Sequence, residues 1–251
     1  IHHKSNARSR KTRRWGFRRR ETRRKLSLEN KIKEVLEKIE TARKTSPFNQ
    51  KVDLIAATKT RDISQIQDCY KLGVLNIGEN RIQEAEKKFA EFPGFNQLKK
   101  RFIGHLQTNK VNKCLRLFDT IDSVDSLKLA KKINSSSTEK KIECLIEINT
   151  SKEPQKHGFN PIISEDLISC FTLKNLEIVG LMTIGPYTSE EKKTRNAFKL
   201  LRKLKEDINS ELGENKIKEL SMGMSGDFEI GVQEGSTMVR VGTGIFGARN
   251  Y

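Results

Sequence analysis

The chain is poor in residues that staple, ligate or punctuate. Only four cysteines, four histidines, five prolines and one tryptophan occur among 251 residues. The cysteines (Cys69, Cys114, Cys144 and Cys170) are widely separated and form no CxxC pair. This argues against a disulfide framework or a structural zinc and fits reduced thiols in a cytosol-like compartment. Two of the four histidines, His2 and His3, sit at the extreme N-terminus. Only His105 and His157 remain in the body, neither with an obvious carboxylate partner in sequence, so no metal site is expected. Long apolar runs are also missing. Blocks such as Ile55–Thr58 and Leu145–Ile148 fall far short of the roughly 20 residues of a membrane span. No Pro/Ser-rich linker divides the chain, which reads as one body.

Positive charge, by contrast, is abundant and unevenly placed. The formal net charge is +17. Residues 1–25 hold twelve basic residues and one acid, Glu21, so +11 lies there and +6 in the remainder. Such a segment repels itself and buries too little surface to fold alone. Three readings stay open: an Arg-rich organelle-targeting leader, a salt-sensitive arm for nucleic-acid phosphates, or a disordered tail or mis-assigned start, the first residue being Ile1. The body lacks aromatic platforms interleaved with basic residues, so nucleic acid is not the expected partner. Residues 1–27 are set apart as a basic, disordered leader, and residues 28–251 as the folded unit.

From Leu28 the pattern is regular. Residues 28–44 place Leu28, Ile32, Val35, Leu36 and Ile39 on one helical face, an opening amphipathic helix. Eight short apolar runs follow: Val52–Lys59, Val74–Gly78, Arg101–His105, Thr120–Val124, Ile142–Thr150, Ile178–Ile184, Glu219–Met222 and Thr237–Val241. Helical stretches are predicted between them, near 62–72, 80–91, 107–117, 126–134, 163–171, 189–212 and 227–234. Strict β-then-α order implies a parallel sheet with helical crossovers. Eight units in this length fit a single (β/α)8 TIM barrel with an extra N-terminal helix. An open doubly wound sheet is disfavoured, because Thr60-Arg61-Asp62 after the first strand contains no glycine.

In a barrel, function gathers at the C-terminal strand ends. Lys59 closes the first apolar run. Partial desolvation there favours a nucleophilic amine, while escape to solvent is the plainer reading. Ser221–Asp227 joins the seventh strand to a helix through Gly223, Ser225 and Gly226, and Gly242-Thr243-Gly244 follows the eighth strand. Glycine turns after strands seven and eight suit a phosphate, or simply satisfy tight backbone turns. A phosphate site plus a lysine suggests a phosphorylated aldehyde held as a Schiff base, meaning pyridoxal phosphate (PLP). Arg240 then either faces the pyridine nitrogen or pairs with an acid such as Glu234.

These motifs resemble the pyridoxal phosphate homeostasis proteins, single-domain relatives of the alanine racemase barrel. The matching stretches include Ala57-Thr58-Lys59-Thr60, Gly78-Glu79-Asn80, Ile103-Gly104-His105-Leu106-Gln107, Ser123-Val124-Asp125-Ser126 and Lys156-His157-Gly158. Further matches are Ser221-Met222-Gly223-Met224-Ser225-Gly226-Asp227 and Met238-Val239-Arg240-Val241-Gly242. The resemblance spans roughly residues 28–251. It implies that Lys59 forms the Schiff base, that Ser225, Gly226, Gly242 and Thr243 hold the phosphate, and that Arg240 approaches the ring nitrogen. It further implies that Asn80 lies near the ring.

The same resemblance implies a protein of intracellular vitamin B6 homeostasis that holds PLP without established turnover and has no catalytic residues. Alanine racemase takes a second base from a β-rich domain, and this chain reaches Tyr251 directly after strand eight. A PLP-dependent amino-acid racemase or lyase is the alternative. The remaining expectations are a cytoplasmic monomer, PLP-dependent apoenzymes as recipients, and no membrane partner.

Overall fold

The computed structural model describes residues 5–90 and 97–248, with side chains from Arg24 onward. Helix α1 (Ser5–Thr45) leads into eight strands: β1 (Asp53–Ala57), β2 (Asn76–Glu79), β3 (Lys99–Phe102), β4 (Thr120–Val124), β5 (Ile142–Glu147), β6 (Leu176–Met182), β7 (Glu219–Met224) and β8 (Met238–Val241). The intervening helices are α2 (Ile63–Lys71), α3 (Ile82–Ala90), α4 (Val111–Leu117), α5 (Leu127–Ser136), α6 (Glu165–Cys170), α7 (Glu191–Leu212) and α8 (Phe228–Gln233). A short α9 (Thr243–Phe246) follows β8. All neighbouring strands pair in parallel. The barrel closes where β1 meets β8, with Ile55 opposite Arg240.

This is the predicted (β/α)8 barrel with its extra helix. Strands β1, β3, β5 and β6 stop earlier than the apolar runs suggest, whereas β2 and β7 run one and two residues longer. The first ends at Ala57 rather than Lys59 and the fifth at Glu147 rather than Thr150, because the chain turns into the rim loops there. Helix α9 is absent from the sequence-based expectation, since four residues behind Gly242 carry no periodicity.

Helix α1 differs most from expectation. It is continuous from Ser5, so the backbone of residues 5–27 is helical where a disordered leader is predicted. Arg and Lys are good helix formers, and no proline interrupts the run. Residues 1–4 lie outside the described residues, as do the side chains up to position 23. Among the described side chains, contacts with the barrel begin at Arg24, which donates to Ser64 at 2.9 Å and pairs with Asp68 at 3.6 Å on α2. Leu28, Ile32, Val35, Ile39 and Ala42 are buried against the barrel, while Leu36, expected on that face, is 45% exposed. It follows Val35 by one residue, about 100° around the helix. At roughly 1.5–3 kcal/mol per fully buried large apolar side chain, this stripe is ample to dock the helix.

Two apolar layers lie outside the sheet, and a smaller one fills the barrel with Ile55, Leu145, Met182 and Met238. Arg101 crosses the interior to Asp122 at 3.1 Å and Glu143 at 3.5 Å. Asp62 caps α2 in a capping box with Gln65, and Ser126 caps α5. These caps fix the loops after β1 and β4.

Candidate functional site

Lys59 follows β1 at the C-terminal rim and is half-buried. Among the described residues its amine has no hydrogen-bond or ion-pair partner. Its neighbours are firmly held. Thr58 is fully buried and donates its hydroxyl to Oε1 of Glu79 at 2.6 Å. Lys88, on α3, donates to the Thr58 carbonyl and to Glu79 Oε1, both at 2.7 Å. Thr60 has φ +64, an uncommon conformation for a β-branched residue. Its N–H donates to Glu84, which also pairs with Lys88 at 2.7 Å. Residues on both sides of Lys59 are therefore tied to one lysine–carboxylate cluster. Burial pushes the Glu79 carboxyl up, with Lys88 and Thr58 opposing, and Glu79 Oε2 is buried without a partner. Sequence reading quoted Glu79 within Gly78-Glu79-Asn80 without giving it a role, and missed Glu84 and Lys88, whose only signal was their place on the helix after the second strand.

The turns after β7 and β8 meet through one hydroxyl. Ser225 Oγ accepts from the N–H of Gly242 at 3.1 Å and of Gly244 at 3.2 Å. Its own O–H remains to donate. Gly223 (φ +102) brings the turn so close to α8 that a Cβ there would stand 2.7 Å from Phe228 Cα. Gly226 has open space around it, and Thr243 is exposed. A Cβ on Gly242 would stand 3.3 Å from the Ala57 carbonyl, so this turn adjoins the strand that leads to Lys59.

Arg240 is buried in β8. It donates to Ser221 Oγ at 2.6 Å, the Ser221 carbonyl at 2.8 Å and the Thr183 carbonyl at 2.7 Å. Glu234 pairs instead with Arg195 and Arg202, each at 2.8 Å, which removes the alternative partner for Arg240. Among the described residues Arg240 has no carboxylate within ion-pair distance. It is a buried cation hydrogen-bonded to neutral groups, with Asp122, Glu147 and Asp227 stabilising it only from farther off. Glu147, at the end of β5, is pushed up to about 7, first by burial and then by Asp125, with Arg240 opposing. Asn80 follows β2. The β3 loop packs so tightly on it that a Cβ at Gly104 would lie 2.3 Å from its carbonyl.

The expectation that the histidines lack a carboxylate partner is corrected by the fold. The loops after β3, β4 and β5 bring His105, Asp125 and His157 together. His105 Nδ1 lies 3.0 Å from Asp125 Oδ2, and the two imidazoles stack at 3.8 Å. Sequence distance concealed this group, because each residue belongs to a different βα unit.

Residues 32–250 match the family model for the N-terminal domain of alanine racemase. The chain is 37% identical to the pyridoxal phosphate homeostasis protein of Haemophilus influenzae, over 90% of this chain and 98% of that one. It is 38% identical to the human protein of the same name, over 79% and 77% respectively. The chain belongs to the pyridoxal phosphate homeostasis protein family. Among solved structures, PipY of Synechococcus elongatus with PLP bound shares 30% identity at a TM-score of 0.75, covering 88% of this chain and all of that one (100%). Clostridium difficile alanine racemase, at 18% identity and a TM-score of 0.65, covers 88% of this chain and 57% of its own, and shares the barrel fold. Within the family frame, the Lys59 strand end, the Ser225 junction and Arg240 lie on the adjacent strands β1, β7 and β8.

Proposed function

We propose that this chain binds PLP at the C-terminal mouth of its barrel and serves vitamin B6 homeostasis, holding the cofactor rather than consuming a substrate with it. Supporting this reading, the relatives carry the homeostasis name and PipY binds PLP. The observation that carries it within the structure is the Ser225 junction, where two glycine turns meet beside the strand end that bears an unpaired lysine.

The residues fit the cofactor. Lys59 would hold it covalently through its side-chain amine. Ser225 donates its O–H to the phosphate, and Gly226, Gly242 and Thr243 form the small-residue cradle around it. The Gly242 N–H is already taken by Ser225, so that glycine contributes close approach rather than a donor. Asn80 would lie beside the ring. When bound, PLP supplies an electron-withdrawing ring. Arg240 would face the ring nitrogen and, remaining protonated itself, would accept no proton from it, which would keep the ring a weak electron sink. The thiols, all free and buried, support a reducing, cytoplasmic setting. A monomer that hands PLP to apoenzymes completes the reading. Among the described residues no helix is long and apolar enough to cross a membrane.

A second reading, an amino-acid racemase or lyase, is favoured by one observation: His105 has the carboxylate partner that a general base uses. Incubating PLP-loaded protein with L-amino acids in deuterated water separates the two. The carrier reading expects no α-proton exchange, and steady exchange would replace it with the enzyme. Binding itself is tested by a visible absorbance band on adding PLP, absent in Lys59→Ala. A protein that takes up no PLP in excess would overturn the proposal.

A further inference from the structure

We propose that His105, Asp125 and His157 form a binding site for a divalent transition metal of the zinc class. The donor set is two imidazole nitrogens and one carboxylate oxygen, a combination suited to zinc, nickel or cobalt rather than to magnesium or calcium. One ligand atom from each residue lies within 4.8 Å of the others. Asp125 Oδ2 is 3.0 Å from His105 Nδ1 and 3.9 Å from His157 Nδ1. Ligands bound tetrahedrally at about 2.1 Å stand roughly 3.4 Å apart, so the observed spacings bracket what a shared ion needs. The stacked rings, 11° from parallel, hold both Nδ1 atoms beside the same carboxylate; parallel rings point their lone pairs in parallel, so a shared ion requires these half-exposed rings to tilt out of the stack.

The ligands are held by the fold rather than gathered by chance on one loop. Ser126 donates to Asp125 Oδ1 at 3.0 Å, leaving Oδ2 to the histidines, and its own hydroxyl caps α5. Such outer hydrogen bonds orient metal-binding carboxylates. His105 follows Gly104, whose missing side chain allows the loop to seat on Asn80. His157 precedes Gly158, at φ +116, where a Cβ would stand 2.8 Å from the Asn149 nitrogen. Phe159 then closes on β5, its N–H donating to the Glu147 carbonyl at 2.8 Å.

The side chains of His105 and His157 are 44% and 54% exposed, which leaves an entry path. Three protein ligands leave room for water or an anionic group in the remaining position. The ligands follow β3, β4 and β5, whereas the proposed PLP residues belong mainly to β1, β7 and β8. The metal site therefore stands without the PLP reading. A metal on Nδ1 displaces the Nδ1–H contact with Asp125 and leaves the ring proton on Nε2, the nitrogen a general base would use, so the two uses of His105 exclude each other.

The test is titration of the full-length, PLP-loaded protein with Zn2+ by calorimetry and with Co2+ by its visible ligand-field absorption. One equivalent per chain is expected. His105→Ala and His157→Ala should each weaken binding by at least about tenfold, judged on variants whose circular dichroism matches the parent. The double change His2→Ala/His3→Ala should bind as the parent does. Lys59→Ala should also retain the metal, because no ligand lies on β1. Absence of saturable binding, insensitivity to His157→Ala, or loss in the His2/His3 or Lys59 variants would each overturn the site.

Discussion

Lys88 Nζ stands 2.7 Å from Oε1 of Glu79, a carboxylate that is completely buried. The same ammonium donates to the Thr58 carbonyl, so the pair locks the residue immediately before Lys59. A buried ion pair of this kind adds little net stability when intact, but losing one partner strands the other.

Lys88→Met is accordingly expected to destabilise the barrel by about 3 kcal/mol or more, read from denaturant unfolding. Glu79→Gln, which keeps an acceptor for Thr58 and Lys88, should cost less. If Lys88→Met matched the parent in both stability and PLP uptake, the cluster would have no positioning role for Lys59.

Ser225→Ala removes the acceptor shared by Gly242 and Gly244 together with the hydroxyl proposed to meet the phosphate. PLP affinity should fall roughly tenfold to a hundredfold, within the range for hydrogen bonds to a charged group. The covalent link at Lys59 should still form at saturating PLP. Equilibrium titration of the visible band measures both quantities. Unchanged affinity would remove Ser225 from the phosphate site.

The barrel order and the strand-end motifs were legible in the sequence, because short apolar runs alternating with helical stretches, and glycine turns, are local signals. Lys59, Ser225 and Gly242 could be singled out from their positions at strand ends alone. The Thr58–Glu79–Lys88 cluster and the His105–Asp125–His157 group were not legible. Each is assembled by lateral pairing of strands whose residues lie in separate βα units. Leu36 and the leader erred for a local reason, since periodicity marks a face without showing how wide the docked stripe is, and charge density outweighed helix propensity in the reading.

Glu147 predicts a pH signature. Its folded-state value is raised from 4.5 to about 7, so between those values the folded protein binds more protons than the unfolded chain. Its contribution to stability is full below about pH 4.5 and is lost as pH rises through about 7. Glu147→Gln should therefore gain on the parent as pH increases, by on the order of 2 kcal/mol at pH 8. Parallel urea unfolding of both proteins from pH 5 to 8 reads the difference. A constant gap across that range would show that Glu147 titrates normally.

In the proposed function Lys59 is the residue that holds PLP. Borohydride reduction of the PLP-loaded protein, followed by proteolysis and mass spectrometry, tests it most directly. One phosphopyridoxyl adduct is expected, on Lys59, and none in Lys59→Ala. Labelling confined to another lysine, or spread over the surface lysines with Lys59 unmodified, would contradict it.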